Sequence, residues 1–309
     1  MMMRLLAGDS RSRAATVRRG RGPGVRAYAL LTPFVGLCGL LLATPVAIAL
    51  YLSFTNIQLI GPDATTFSFT GLANIERLVA DPLFVHSLLV TLVFALVGTA
   101  VIQTFVGTAV AFLLSHVSSW IRTVTIGVTV VAWVIPEVVV GLAWYGMAQP
   151  GGVIDGVSRA GDSDLLLQHA LVIVIAANIW HNLAFTILML SAGLRSIPTD
   201  AVEAAAVDGA GAWRTLWEIK LPLLRATLAA NVTLSVLQSL SVFTLIYVMT
   251  QGGPANATLT VPIYLYQQGF NNNTLGYATL MAIVLLAIGA VLAGLMVRQV
   301  GSGRRLAKA

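Results

Sequence analysis

Polar side chains recur at helical spacing inside otherwise apolar sequence, and these are the positions where the chain could do chemistry. Asn178, His181, Asn182 and Phe185 stand at i, i+3, i+4 and i+7, and Asn231, Ser235, Gln238 and Val242 make a comparable stripe with Ser239 beside it. Amides and hydroxyls so arranged can hydrogen-bond a hydroxylated solute while an aromatic ring stacks on its apolar face, or they can tie neighbouring helices together. Glu137, directly after Pro136, is a third candidate. In apolar surroundings a carboxyl is tolerated only if it faces protein or a wet cavity, or is protonated. It reads as an interhelical hydrogen-bonding residue, a solute contact or a proton relay, sharing one helix face with Trp133, Gly141 and Trp144. Pro136 removes one helical hydrogen bond and frees a carbonyl a turn earlier. His181 is not read as a metal ligand, because no second His, Cys or carboxylate stands at ligand spacing.

The elements that must carry these residues follow from composition. Of 309 residues 57% are hydrophobic and 10% charged, where a soluble domain carries about 25% charge. A water-soluble enzyme of this size is thereby excluded, since too few polar side chains exist to cover a globule. Six apolar stretches, 28–54, 84–114, 123–148, 168–193, 226–250 and 277–297, each reach the about 20 residues that cross a bilayer as a helix. Of thirty Asp, Glu, Lys and Arg residues, Glu137 alone lies within them, as the cost of an intramembrane charge requires. The fold expected is all-α, a polytopic membrane protein of six transmembrane helices.

The net charge of +6 is mostly a topology signal. Arg4, Arg11, Arg13, Arg18, Arg19, Arg21 and Arg26 precede the first span, Arg122 follows the second, Arg195, Arg214, Lys220 and Arg225 lie between the fourth and fifth, and Arg298, Arg304, Arg305 and Lys308 follow the sixth. Only Arg77 and Arg159 fall on the other side, so both termini are expected in the cytoplasm. This pattern speaks against nucleic-acid binding, although the N-terminal arginines can also touch anionic membrane lipid. The first apolar run is too long for a secretory signal and is read as a retained helix. Cys38 is the single cysteine, so no internal disulfide can form. The chain divides into a basic tail over 1–27, a transmembrane domain over 28–300 and a tail over 301–309.

The loop over 194–225 is well punctuated and reads as two short helices around a glycine turn. Pro198, Thr199 and Asp200 supply a start, Glu203 stands three residues after Asp200 as in a capping box, and Gly209 follows Asp208 where a helix would end. Trp213, Leu216 and Trp217 form an apolar patch before Leu221-Pro222 ends the second helix. Such a helix could also lie on the bilayer surface, aromatic face down.

The spelling of that loop resembles a known motif. Glu203-Ala204-Ala205, then Gly209, Ile219 and Leu221-Pro222, with Asp208-Gly209-Ala210 between, is similar to the EAA loop of the membrane subunits of binding-protein-dependent ABC importers. Gly71-Leu72-Ala73-Asn74, Pro136 followed by Trp144, Thr250-Gln251-Gly252-Gly253-Pro254, Gly269-Phe270 and Gly276-Tyr277-Ala278 agree with the carbohydrate branch, the maltose and glycerol-3-phosphate type. Asp155, where an Asn is usual, and Ala226, in place of a common Pro, depart from it.

The resemblance implies an ABC importer permease fold in a bacterial inner membrane. It further implies a second, similar permease, two copies of an ATPase subunit, an extracytoplasmic solute-binding protein, and transport of a sugar-like small molecule by alternating access. No G-x-x-x-x-G-K-[ST] phosphate cradle occurs, so no cofactor is expected in this chain, and ATP and magnesium belong on the ATPase subunit. The resemblance makes Glu203, Ala204, Ala205, Asp208, Gly209, Ile219, Leu221 and Pro222 the contact through which that subunit drives transport, with Glu203 either capping the loop or pairing with a partner's basic group. Trp213 and Trp217 pack either on this chain's own helices or on the partner. The resemblance assigns Asn178, His181, Asn182, Ser235, Gln238, Ser239 and Val242 to the substrate pathway beside Glu137; Val242 is apolar where sugar binders can have an amide. The segment 251–273 is either a solvated connector or part of the surface that meets the solute-binding protein. The competing reading is an ion-gradient-driven secondary transporter or channel, which would usually place paired charges in the membrane.

Overall fold

The computed structural model describes residues 25–158 and 165–306. The arginines of the N-terminal tail up to Arg21, Arg159 and Lys308 lie outside the described residues. The chain forms two units, residues 1–48 and 49–309. The described part of the first belongs to helix α1 (Val25–Leu52), which accommodates Pro33 and Pro45.

The second unit is built from helices α2 (Ala73–Ala80), α3 (Pro82–Leu92), α4 (Thr104–Leu114), α5 (Ser119–Val134), α6 (Glu137–Ala148), α7 (Val153–Ser158), α8 (Leu165–Arg195), α9 (Thr199–Val207), α10 (Ala212–Thr215), α11 (Leu221–Leu240), α12 (Thr244–Thr250), α13 (Val261–Tyr266) and α14 (Leu275–Leu306). Among the described residues, five helical runs are long and apolar enough to cross a membrane: Thr32–Leu52, Pro82–Leu114, Leu165–Arg195, Ala212–Leu240 and Leu275–Leu295. The pair α5 and α6, bent by 100° at its break, is long and apolar enough to make a sixth crossing when the two are counted as one span. The core joins Phe94, Val140, Val174, Ile246, Ile263 and Met281, drawn from six different segments.

Asp81 starts α3 by accepting from the backbone N–H groups of Leu83 and Phe84, at 2.9 and 3.3 Å, with Pro82 at the first helical position. The run continues through a π-helical segment, Val93–Gln103, into α4. The expectation of one kinked helix over 123–148 is corrected here. Pro136 pushes Ile135 into extended backbone, ψ 131°, and the helix stops and restarts in a new direction. Trp133, on α5, therefore does not share a helix face with Glu137, Gly141 and Trp144, which stand at i, i+4 and i+7 on α6.

The fifth crossing is corrected as well. Leu221-Pro222 does not end a loop helix; the helix runs from Ala212 through a π-helical stretch, Leu216–Lys220, to Leu240, and Pro222 follows directly on that stretch, where the regular i to i−4 bonding is already interrupted. The second half of the loop over 194–225 is thus the start of the crossing. Its far end comes earlier than expected too, because the chain leaves the helix at Ser241 and begins α12 at Thr244.

Candidate functional site

Pro136 has no N–H to give the carbonyl of Ala132 four residues back, and His181 of α8 fills that place, with Nδ1 3.1 Å from the Ala132 oxygen. A carbonyl only accepts, so Nδ1 is the donor in this contact. The contact pins the break between α5 and α6 against the middle of α8.

Beside it lies a cavity of about 270 Å³. Glu137 reaches it from the first turn of α6, and Asn178, His181 and Asn182 from one face of α8. Ser235, Gln238 and Ser239 enter from the last turns of α11 and Val242 from the break that follows. All eight substrate-pathway candidates thus line one space. Asn231 of the same stripe does not; it is fully buried and reaches Thr104 Oγ1 at 3.4 Å, a link between α11 and α4.

Four further residues complete the wall: Thr99 and Gln103 from the π-helical segment, Trp133 and Ser241. Thr99 and Gln103 escape sequence reading because they are isolated polar residues in a long apolar run; their paired appearance there is the signal that could have found them. Gln103 Nε2 donates to Thr186 Oγ1 at 3.0 Å, and Asn182 Nδ2 donates to Asn178 Oδ1 at 3.1 Å. Thr99 Oγ1, Gln103 Oε1 and Ser235 Oγ are buried with no hydrogen-bond partner. Groups of this kind cost about 1–3 kcal/mol each when left unsatisfied, so they suit an occupant rich in hydroxyls. Among the described residues the cavity wall holds one carboxylate and no Lys or Arg, and no group of three or more His, Cys, Asp or Glu is placed to hold a metal ion.

Beyond the bend the lining changes character. Trp144 and Trp180, edge to face at 6.4 Å, belong to a separate cavity walled by Val139, Met147 and Ile154.

The loop bearing α9 closes on a backbone motif. Gly209 has φ +74°, its N–H reaches the Ala206 carbonyl at 3.1 Å, and the Ala210 N–H reaches the Ala205 carbonyl at 2.9 Å. These two bonds satisfy the last carbonyls of α9 in a left-handed glycine cap. The capping box is corrected: Pro198 is the residue before α9, with no side-chain cap, and Glu203 is exposed. Ala205 packs inward while Ala204 and Asp208 face out. Val207 is 88% exposed, Trp213 69% and Trp217 52%. The two Trp rings meet edge to face at 5.7 Å. Ile219 and Leu221 are half-buried and Pro222 is exposed.

At the opposite end, Asp81 accepts from Tyr264 Oη at 2.5 Å and Tyr277 Oη at 2.6 Å, and Arg77 lies 4.0 Å over the Tyr277 ring. Burial disfavours the Asp81 carboxylate, but its four hydrogen bonds, two from tyrosines and two from backbone, outweigh that and hold its pKa below the usual range. Burial, then the Asp81 contact, pushes the Tyr264 hydroxyl up. Gly276 approaches so closely that a Cβ there would stand 2.2 Å from the Thr55 carbonyl oxygen. Asn74 ties the same turn, donating to the carbonyls of Ser53 and Thr55 at 2.9 Å. The segment 251–273 is no solvated connector: Thr258, Leu259, Thr260, Val261 and Ile263 are buried, and the Val261 N–H donates to Thr91 Oγ1 at 2.8 Å.

Comparison with known proteins agrees with this architecture. The model of the family described as "Binding-protein-dependent transport system inner membrane component" matches residues 103–305. The chain is 30% identical to the sulfoquinovosyl glycerol transport system permease protein SmoG of Agrobacterium fabrum, over 90% of this chain and 91% of that protein. It is 33% identical to the sn-glycerol-3-phosphate transport system permease protein UgpA of Brucella suis, over 84% and 89%. The trehalose transport system permease protein SugA of Mycobacterium tuberculosis is 30% identical over 89% of each chain. In fold the chain is similar to a bacterial alginate ABC transporter crystallised with an alginate pentasaccharide-bound periplasmic protein, with a TM-score of 0.73, 20% identity, and 88% of this chain and 92% of that one covered.

Proposed function

Because the chain belongs to the family of binding-protein-dependent transport system inner membrane components, we propose that its polar cavity is one half of a midplane site for a neutral, sugar-like solute. The observation that carries this reading is the convergence of Glu137, three polar residues of α8 and four residues of the α11 end on one space that also holds buried, unpartnered polar atoms. Sugar hydroxyls both donate and accept, and so can satisfy Thr99, Gln103 and Ser235 at once, while the Trp133 ring offers a stacking face.

Charge narrows the solute class. An anion about 6 Å from the Glu137 carboxylate would meet a repulsion of about 3 kcal/mol at an effective permittivity of about 20. No Lys or Arg of this wall offsets it. A trehalose-like neutral glycoside therefore fits better than a glycerophosphate or a sulfonated sugar, although relatives are named for each. The Val242 side chain offers no hydrogen bond, and a second, similar permease supplies the facing polar groups.

Transport then runs by alternating access. A solute-binding protein delivers from outside, a step supported by the pentasaccharide-bound periplasmic protein that accompanies the alginate transporter in its crystal. Two ATPase subunits hold ATP and magnesium, grip α9 at the turn after Asp208, and close on nucleotide binding. The broken helices around the cavity supply the moving joints, since backbone already out of helical register can change angle without breaking further hydrogen bonds. Glu203, exposed on α9, reaches a basic group across that contact.

The test is reconstitution of the chain with its co-purifying permease, ATPase and binding protein, followed by a screen of neutral and anionic glycosides for stimulated ATP turnover. Stimulation by a neutral sugar, with Gln103→Leu raising KM about tenfold for the loss of one hydrogen-bonding residue, is the expected result. Uptake driven by a proton or sodium gradient without any ATPase subunit would overturn the importer reading. Preference for an anionic solute would overturn the assignment of charge.

A further inference from the structure

At the end of the bundle from which α9 departs, the chain closes around a second cavity, of about 150 Å³. Three cations line it: Arg122 from the first turn of α5, Arg195 from the last residue of α8, and Lys220 from the residue that precedes α11. Among the described residues no carboxylate lines it. The nearby pair of Arg214 and Glu218, at 2.9 Å, is spent within its own helix and stands outside this wall.

The contacts described for Arg122 and Lys220 are with uncharged groups. Arg122 donates through Nε to the Leu114 carbonyl at 2.9 Å and through Nη2 to that of Val117 at 3.4 Å, using two of its five N–H groups. Lys220 Nζ lies 5.1 Å over the Phe112 ring. Ring faces and carbonyls carry partial charges only, so three like charges repel one another around a small space. Ser191 Oγ, also in this wall, is buried without a hydrogen-bond partner. Ala111 and Leu114 add an apolar side.

We propose that this cavity binds a phosphate group, and that its source is the headgroup of an anionic membrane phospholipid. Phosphate oxygens accept from guanidinium, ammonium and hydroxyl alike, and would cancel the repulsion. The cavity lies where membrane-crossing helices end, the depth at which headgroups stand, and its apolar side suits the glycerol and first acyl carbons better than a free ion. A bound headgroup joins the start of the third crossing to the end of the fourth and the start of the fifth, and so fixes the two exits of the loop that carries α9. This inference stands whatever solute the polar cavity takes.

The test uses the full transporter complex in nanodiscs of phosphatidylcholine alone or with added phosphatidylglycerol, with retained lipid counted by native mass spectrometry. Phosphatidylglycerol should be retained, and Lys220→Gln and Arg122→Gln should each weaken retention about fivefold, the worth of one basic residue at an anionic membrane surface. Arg214→Gln, outside the wall, should leave it unchanged. Arg122 also holds the end of α4, so Lys220→Gln, which removes no hydrogen bond to backbone, is the decisive variant. A parallel titration of inorganic phosphate into lipid-free detergent complex separates the sources: variant-sensitive binding of phosphate without any of phosphatidylglycerol would overturn the lipid assignment. Equal lipid retention by all variants, or loss of the ATPase subunit from Lys220→Gln with lipid retention intact, would overturn the site itself.

Discussion

Replacing Gly209 separates backbone conformation from crowding, because the residue has φ +74° and an added Cβ there meets nothing within 4 Å. Any penalty is therefore torsional. A non-glycine residue in the left-handed region costs about 1–2 kcal/mol, Asn least and a β-branched residue most. If Val adds about 2 kcal/mol, the closed turn with its bonds to the Ala205 and Ala206 carbonyls is about 30-fold less populated relative to open ones. The angle at which α9 leaves the bundle is lost in proportion. In proteoliposomes containing the whole complex, uptake should rank Gly209, then Gly209→Asn, then Gly209→Ala, with Gly209→Val lowest. Membrane insertion and basal ATP turnover should be unchanged. Full uptake by Gly209→Val would refute the coupling role. A fall in Gly209→Asn as deep as in Gly209→Val would refute the torsional reasoning, since Asn adopts this φ readily.

Other perturbations test the remaining elements. Asp81→Ala removes a helix cap and the shared acceptor of Tyr264 and Tyr277, and should cost about 2–4 kcal/mol, read as a lower thermal unfolding midpoint in detergent; Asp81→Asn should cost less than half of that. The Asp81 pKa lies below its ordinary value of 3.8, so its stabilisation is complete above that value and lost as pH falls through the lower folded one; stability scans down to strongly acid pH should show a step that Asp81→Asn abolishes. Trp213→Ala with Trp217→Ala should leave the permease folded but weaken retention of the ATPase subunit about 30-fold in pull-downs, as for loss of an aromatic anchor; a destabilised permease with normal retention would show that the pair serves the chain itself. Pro136→Ala returns an N–H to the Ala132 carbonyl and unseats His181, so crosslinking between α5 and α8 and uptake should fall together.

Much of this protein was legible in its sequence because the bilayer imposes one rule everywhere: apolar runs of fixed length, with charge kept outside. The number of crossings, the glycine turn after Asp208 and the polar stripes on α8 and α11 all follow from that rule and from helical periodicity. Tertiary structure decided what periodicity cannot express. Pro136 reads in sequence as a kink, yet the helix breaks by 100°, because a polar ring on α8 was available to take the carbonyl that the break exposes. The charges of Arg214 and Lys220 marked a loop, yet helical hydrogen bonds continue through them, since a crossing helix can begin in water before it enters lipid. That Asn178 and Ser235 line a shared cavity while Asn231 bonds to Thr104 depends on how α8, α11 and the π-helical segment are rotated against one another. Rotation is set by contacts between residues far apart in the chain, and no local pattern of residues encodes it.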